Sequence, residues 1–201
     1  MRTDQLLKQY LDQVKPGGKI IDIGFGTGRQ VINLVKKGFA ITALDKDKKT
    51  VNELREKISK FGKKMDIKIE NGDIKDYDMS KNFYNAVLAF NSLIFLKKSE
   101  FLKVVQKIKD SLSKSGLIFI SLFTTDDPSY KSFQENAEPV GKNTFLSKKS
   151  GLYWHFMDKS ELKSLFSDFE TLFYEEMIIH DKLPTPHNHG MVFYVGKKIA
   201  P

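Results

Sequence analysis

The sequence predicts an α/β protein built on an open, mostly parallel sheet with helices on both faces. Three observations lead there. Short apolar segments alternate with longer amphipathic ones of helical period. The short segments are apolar on both faces, as strands buried from both sides must be. A glycine-rich turn, Gly24–Gly28, follows the first of them and opens a helix.

The elements are read in order. Thr3 is placed to cap a first helix over Asp4–Val14, with Leu6, Leu7, Tyr10, Leu11 and Val14 on one face. Lys15-Pro16-Gly17-Gly18 breaks it. Lys19–Ile23 reads as the first strand. The helix Arg29–Lys37 turns Val31, Leu34 and Val35 inward, and Gly38 stops it. Ala40–Leu44 is the second strand and Asp47–Phe61 the next helix. Ile67–Glu70 and Ala86–Phe90 are strands three and four. Ser99–Leu112 is a helix ended by Ser115-Gly116, and Leu117–Phe123 is strand five. From Thr124 to about Trp154 no period holds, which predicts an irregular segment. Asp158-Lys159-Ser160-Glu161 has the spacing of a capping box before a helix Glu161–Phe166. Phe169–Ile179 and Met191–Lys197 read as two late strands with no helix between them. A loop holding Pro184, Pro186, His187 and His189 joins them and lets them pair antiparallel.

Composition bounds the function. The 201 residues suit a single domain, 1–201, and 40% hydrophobic content suffices for one core. The absence of cysteine excludes thiol nucleophiles, Cys-ligated metal sites and disulfides, and fits a reducing, cytoplasmic setting. No secretory leader is read in Met1–Val14, and no apolar run approaches the ~20 residues of a membrane helix. The net charge of +8 comes almost wholly from lysine; the arginines are Arg2, Arg29 and Arg55. Base and phosphate readers lean on arginine, whose fork binds bidentately. The lysines are also spread over nearly every helix, so a solvated basic surface is favoured over a nucleic-acid footprint, which stays open.

Four positions at the carboxyl ends of strands carry the chemistry. In Asp22-Ile23-Gly24-Phe25-Gly26-Thr27-Gly28 the glycines let the backbone approach a ligand, and the following helix offers free N–H groups. The spacing Gly-x-Gly-x-Gly differs from the Gly-x-Gly-x-x-Gly of dinucleotide binders, because position 29 is Arg. Asp45 ends strand two, where a carboxylate accepts hydrogen bonds from both hydroxyls of a ribose. Asp73, in Gly72-Asp73-Ile74, is placed to accept from an adenine amino group with Ile74 against the ring. Phe90-Asn91-Ser92 puts polar groups at the edge where open α/β sheets bind ligands.

With these residues the chain resembles the class I (seven-stranded, Rossmann-like) S-adenosylmethionine-dependent methyltransferases over nearly its full length. Asp22–Gly28 matches the family's first motif, Asp/Glu-x-Gly-x-Gly-x-Gly. Asp45 matches its ribose-binding acid, and Gly72-Asp73 its adenine-side motif. Leu112-Ser113-Lys114-Ser115-Gly116 resembles the stretch before strand five. Within the family, Gly28-Arg29, the run Thr124–Asp127 and the short helix after Phe156 are most similar to small tellurite-resistance-type (TehB-like) enzymes. The resemblance implies strand order 3-2-1-4-5-7-6 with strand 7 antiparallel. It also implies S-adenosyl-L-methionine as cofactor and S-adenosyl-L-homocysteine as product. The implied cofactor contacts are Asp22, Gly24, Phe25, Gly26, Gly28, Arg29, Asp45, Lys46, Asp73, Ile74, Phe90 and Asn91. Two departures stand out. Asn85 occupies a position the family usually gives to Asp, with an expected effect on local structure only. Lys46 follows the ribose acid where an apolar residue is common, so its alkyl stem would cover the adenine.

Methyl transfer rests on holding a nucleophile in line with the S–CH3 bond, so a catalytic side chain is not obligatory. If the nucleophile arrives protonated, a base helps. His155, His187 and His189 are the candidates, each with an ordinary structural or solvated role as its alternative. His187, His189 and Asp181 together make a weak metal set, and no metal is expected. The segment 124–154, rich in Phe, Tyr and Trp, is expected to form a lid that selects a small-molecule acceptor. RNA- or protein-directed methyl transfer, a non-catalytic S-adenosylmethionine-binding regulator and a nicotinamide oxidoreductase are the rival readings. Oligomeric state stays open.

Overall fold

The computed structural model describes residues 2–61, 65–181 and 186–199, with Asp181 in backbone alone. Pro184, in the loop expected between the last two strands, lies outside them. The first helix, α1, spans Arg2–Tyr10 and continues as a 3-10 turn, Leu11–Gln13. Thr3 therefore sits inside the first turn and is buried; it is not the cap.

The central sheet is built from β1 (Lys19–Ile23), β2 (Ala40–Asp45), β3 (Ile67–Asn71), β4 (Tyr84–Phe90), β5 (Leu112–Phe123), β9 (Phe169–Asp181) and β10 (His187–Lys198). Its order is β3-β2-β1-β4-β5-β10-β9. β10 runs antiparallel to both its neighbours, while β1 to β5 are parallel. This is the predicted order, with β9 and β10 as the sixth and seventh strands. Helices α2 (Arg29–Lys36), α3 (Lys48–Ser59) and α4 (Lys98–Ser111) are the crossovers. Asp47 is the N-cap of α3, accepting from Lys49 N at 2.9 Å, so the helix begins one residue later than its periodicity suggests. Ile20, Ile21, Ala86, Val87, Leu88, Ile118, Phe119 and Ile120 are fully buried, as strands covered on both faces require.

β5 starts at Leu112, five residues earlier than its apolar run. The pairing to β4 jumps from Tyr84↔Leu112 to Ala86↔Leu117, so Ser113–Gly116 form a bulge with Ser115 at φ +58°. Asn85 sits in that irregularity. Its Oδ1 accepts from Lys19 N and its Nδ2 donates to Ser113 Oγ, which fastens the amino ends of β1, β4 and β5 together. The departure at this position thus has a local structural role.

Residues 124–154 are not irregular. They fold into α5 (Ser129–Asn136) and the strands β6 (Glu138–Gly141), β7 (Thr144–Leu146) and β8 (Tyr153–His155), an antiparallel meander in order β6-β7-β8. Asn143, at φ +51°, makes the first turn and Gly151, at φ +67°, the second connection. The strands are too short for a two-residue period to register. An aromatic cluster supports them instead: Phe133 lies 5.2 Å from Trp154 and 5.5 Å from Phe156, centroid to centroid. Phe156 leads through an isolated bridge, Thr124↔Met157, into α6 (Glu161–Leu165). Glu161 makes half of the expected capping box, accepting from Asp158 N at 3.1 Å.

Candidate active site

The carboxyl ends of β1, β2, β3 and β4 surround a cavity of about 430 Å³, within the range of small-molecule sites. Gly24, Gly26, Asp45, Lys46, Asp73, Ile74 and Asn91 all line it. Residues from successive strand ends 19 to 26 positions apart in sequence thus meet on one rim.

The three glycines of the first turn have different tasks. All have positive φ: +69° at Gly24, +53° at Gly26 and +72° at Gly28. A Cβ at Gly24 would strike Ser92 Cβ at 2.4 Å, and one at Gly28 would strike Leu54 of α3 at 2.6 Å. Those two glycines let the turn pack against its own fold. A Cβ at Gly26 would meet nothing within 4 Å. Gly26 therefore keeps backbone open toward the cavity, as a cradle for a ligand does.

Asp45 stands beside it. Its Oδ2 accepts from Gly26 N at 3.2 Å and its Oδ1 from Asp47 N at 3.0 Å. Asn71 Nδ2 donates to the carbonyls of Asp45 and Lys46, fixing the β2 end. Asp73 forms an Asx turn with Lys75 N and an ion pair with Lys75 Nζ. Asn91, at φ +54°, accepts from Ser121 Oγ at 2.7 Å. Ser92 lines the cavity, while its Oγ is buried and without a hydrogen-bond partner among the described residues.

Asp22 is buried behind the turn rather than on the wall. Burial, with the nearby Asp45 charge second, pushes its carboxyl up to about 7. Phe25 is buried in the core, and Gly28 and Phe90 stand back from the wall. Arg29 does not reach the cavity: its Nη1 pairs with Asp4 at 2.5 Å and ties α2 to α1. Lys46 Nζ lies 5.8 Å from the Phe95 ring. The sequence reading missed Phe95, Leu96 and Glu100 and the loop Gly151–Tyr153, all of which line the cavity. For the loop the signal was the turn Ser150-Gly151, whose return to the cavity depends on the meander.

A second cavity, about 580 Å³, lies between α1 and the β9–β10 ribbon. Arg2, Thr3, Met177, Ile179, Met191 and Phe193 are among its walls, and Asn91 belongs to both cavities. The two spaces thus adjoin at the end of β4.

The histidines separate sharply. His155 is 2% exposed under the meander, its Nδ1 2.7 Å from Thr144 Oγ1 and its ring against Phe101. Burial, then the Lys98 charge, lowers it to about 4, so it stays neutral. It lines neither cavity. His187 and His189 lie in β10, not in a loop, with rings 4.7 Å apart. His189 Nδ1 is 3.0 Å from Asp127 Oδ2, and its ring stacks on Phe123 at 4.7 Å. No group of three His, Cys, Asp or Glu residues able to hold a metal occurs among the described residues.

An open parallel sheet with a glycine turn, a strand-end acid and a cavity at the switch of strand order defines a nucleoside-cofactor α/β protein. Comparison with known proteins sharpens this. Residues 20–116 match the family described as a methyltransferase domain. Solved structures agree in fold. TehB from Haemophilus influenzae superposes with TM-score 0.75 at 19% identity, over 96% of this chain and 62% of that one. A SAM-dependent methyltransferase from Methanosarcina mazei gives 0.79 at 15% identity, over 98% of both chains. The Burkholderia thailandensis 1,6-didemethyltoxoflavin-N1-methyltransferase, solved with 1,6-didemethyltoxoflavin and S-adenosylhomocysteine, gives 0.70 at 15%, over 98% of this chain and 76% of that one. The chain thus spans 62% of the TehB chain's length. No curated protein matches it. Residues 20–116 thus match a methyltransferase domain, and the chain as a whole shares its fold with S-adenosylmethionine-dependent methyltransferases.

Proposed function

We propose that this protein, acting as a single domain over 1–201, transfers a methyl group from S-adenosylmethionine to a small molecule in the cytoplasm. The observation that carries the reading is the junction at Asn91 of a cofactor-sized cavity with a second, largely apolar one. When bound, the cofactor supplies a sulfonium methyl group. Asp45 would accept the ribose hydroxyls, the open turn at Gly26 would carry the adjoining backbone contacts, and Asp73 with Ile74 would meet the adenine. Lys46 covers the ring with its alkyl stem. Buried Asp22 supplies negative charge under a cationic ligand.

The second cavity then holds the acceptor, with α1 over it, while Gly151–Tyr153 at the end of the 124–154 lid cover the first cavity. Its walls of Met177, Ile179, Met191 and Phe193 suit an apolar molecule. The toxoflavin enzyme, similar in fold, was solved with 1,6-didemethyltoxoflavin and S-adenosylhomocysteine bound together, which supports a pair of ligand spaces. Among the described residues no helix is long and apolar enough to cross a membrane. Calorimetry with S-adenosylmethionine, S-adenosylhomocysteine and NAD tests the reading. Binding of the two sulfur nucleosides is expected and none of NAD; stabilisation by NAD alone would overturn it.

A further inference from the structure

The second cavity is polar at one end and apolar along the rest, and strand register gives the direction. Asn91, which belongs to both cavities, accepts from Ser121 Oγ. Ser121 faces Phe193 on β10, Phe193 faces Glu175 on β9, and Glu175 accepts from Arg2 of α1. Directly paired residues share a face of the sheet. Asn91 and Arg2 therefore stand at the two ends of one cross-strand row, level with the opening to the cofactor cavity. Two residues along the same face, Met191 lies opposite Met177, and Ile179 follows two residues later. These apolar positions extend the wall about 7 and 13 Å from the polar row.

The polar row presents donors. Arginine has no acceptor atom. Arg2 gives Nη1 to Gln5 Oε1 at 3.4 Å and Nη2 to Glu175, and its Nε is buried without a partner among the described residues. Because Arg2 donates, Gln5 turns its oxygen to it and its Nε2 away. Asn91 spends Oδ1 on Ser121, which leaves the two N–H groups of Nδ2. Thr3 Oγ1 accepts from Gln30 Nε2 at 3.4 Å. The side-chain acceptors of Asn91, Gln5 and Thr3 are thus engaged within the protein, while amide and guanidinium N–H groups are open. The remaining ionisable wall residue, His180, is exposed beyond Ile179 at the outer rim, its Nδ1 bonded to Asn188 Oδ1.

A ligand group that only accepts, such as a carboxylate or phenolate oxygen, matches this wall. An ammonium group, which only donates, leaves the same N–H groups unpaired. Charge and acid–base chemistry point the same way. Arg2 and Glu175 neutralise each other, so the wall adds donors rather than net charge, and an anion at Asn91 would face the positive charge of a bound sulfonium. An oxyanion also needs no base, and His155, His187 and His189 line neither cavity.

We infer that the acceptor is an apolar acid, methylated on an anionic oxygen that lies at the Asn91 end while its apolar body runs over Met191, Met177 and Ile179. This rests on the methyltransferase reading above. In the step a lone pair of the oxygen forms the bond to the methyl carbon as the S–CH3 bond breaks, and the bonding pair stays on sulfur. Oxyanion and sulfonium become a neutral methyl ester or ether and a neutral thioether, with no proton to transfer.

Binding to the full chain tests the inference. Butanoate, hexanoate and hexylamine are titrated into the S-adenosylhomocysteine complex, with the 13C-labelled methyl groups of Met177 and Met191 read by NMR. Hexanoate is expected to shift both methyl signals and to bind about tenfold more tightly than hexylamine. It is expected to exceed butanoate by about threefold per added methylene. Met177→Ser should lower that gain per methylene, read at Met191. Asn91→Asp keeps an acceptor for Ser121, suits the left-handed backbone and replaces the open donor with a carboxylate oxygen. It is expected to shift the ratio of hexanoate to hexylamine affinity at least tenfold toward the amine. Hexylamine binding as tightly as hexanoate in the wild type, equal affinity for butanoate and hexanoate, methyl signals that hexanoate leaves in place, or an unchanged ratio in Asn91→Asp overturns the proposal. Failure of S-adenosylhomocysteine to bind at all would instead sink the methyltransferase reading, so the two failures are distinguishable.

Discussion

Asp45 and Asp22 are two carboxylates 23 positions apart, and they do opposite things. Asp45 is half-buried at a strand end and touches backbone donors only, Gly26 N and Asp47 N. Removing it leaves no buried group stranded. Asp45→Ala is expected to fold normally and to bind S-adenosylmethionine roughly 10–100-fold more weakly by calorimetry, the loss of one or two charge-assisted hydrogen bonds. Asp22 is buried and held up to about 7. Its folded state keeps a proton that the unfolded chain releases near 4. Between those values the native state binds more protons, so its contribution to stability falls as pH rises and levels off above about 7. A cationic ligand favours the ionised form. S-adenosylmethionine binding is therefore expected to release a proton below pH 7 and to tighten as pH rises from 5.5 to 8. Calorimetry in two buffers of different ionisation heat measures that release. In Asp22→Asn it should vanish; release of the same size there would show that another group supplies it.

At the scale of elements, the first βα turn separates packing from binding. Gly28→Ala meets both a left-handed φ and a contact with Leu54 of α3. It is expected to lower stability by about 1–3 kcal/mol in urea unfolding. Gly26→Ala has the same backbone strain but open space, so its stability cost should be about 1 kcal/mol. Its methyl group would stand over the cavity instead and reduce S-adenosylmethionine affinity. The expected pattern is thus a stability loss larger at Gly28 and a binding loss larger at Gly26. Arg29 illustrates how an element can claim a residue that a motif seemed to offer to the ligand. Its bond to Asp4 anchors α1 over the second cavity. Arg29→Ala is expected to leave S-adenosylmethionine affinity within about threefold, because one partly exposed ion pair contributes little.

For the whole molecule, the basic charge and the cavities make different claims. A surface of dispersed lysines attracts polyanions weakly and without register. RNA affinity is expected to be low and to collapse with salt, whereas S-adenosylmethionine should bind with little salt dependence. A ligand at 100 times its Kd adds about 2.7 kcal/mol to the folded state. For a chain of this size that amounts to a rise in Tm of roughly 5–10 °C. Thermal unfolding with S-adenosylmethionine, set beside NAD at equal concentration, measures it. No rise with S-adenosylmethionine would mean that the cavity under the glycine turn does not take the class cofactor.

Much of this was legible in the sequence because it is local. Lys19–Ile23 is an apolar run between breakers, Asp45 ends another, and the spacing Gly24, Gly26, Gly28 is set within one turn. Each follows from residues a few positions apart, and the order of the strands was what the family resemblance implied. The meander of 138–155 was not legible, because three- and four-residue strands carry too few positions to show a period and stand on aromatic contacts made at a distance. The placement of the histidines was also hidden. Nothing near position 189 announces Asp127, and nothing near 155 announces Phe101 and Lys98. Short-range pattern determined the sheet and the glycine turn of this protein. Only tertiary structure decided which acids reach the cavity, which arginine ties one helix to another, and which histidine pairs with a buried carboxylate. Burial and hydrogen-bond partnership are properties of the assembled sheet rather than of any segment within it.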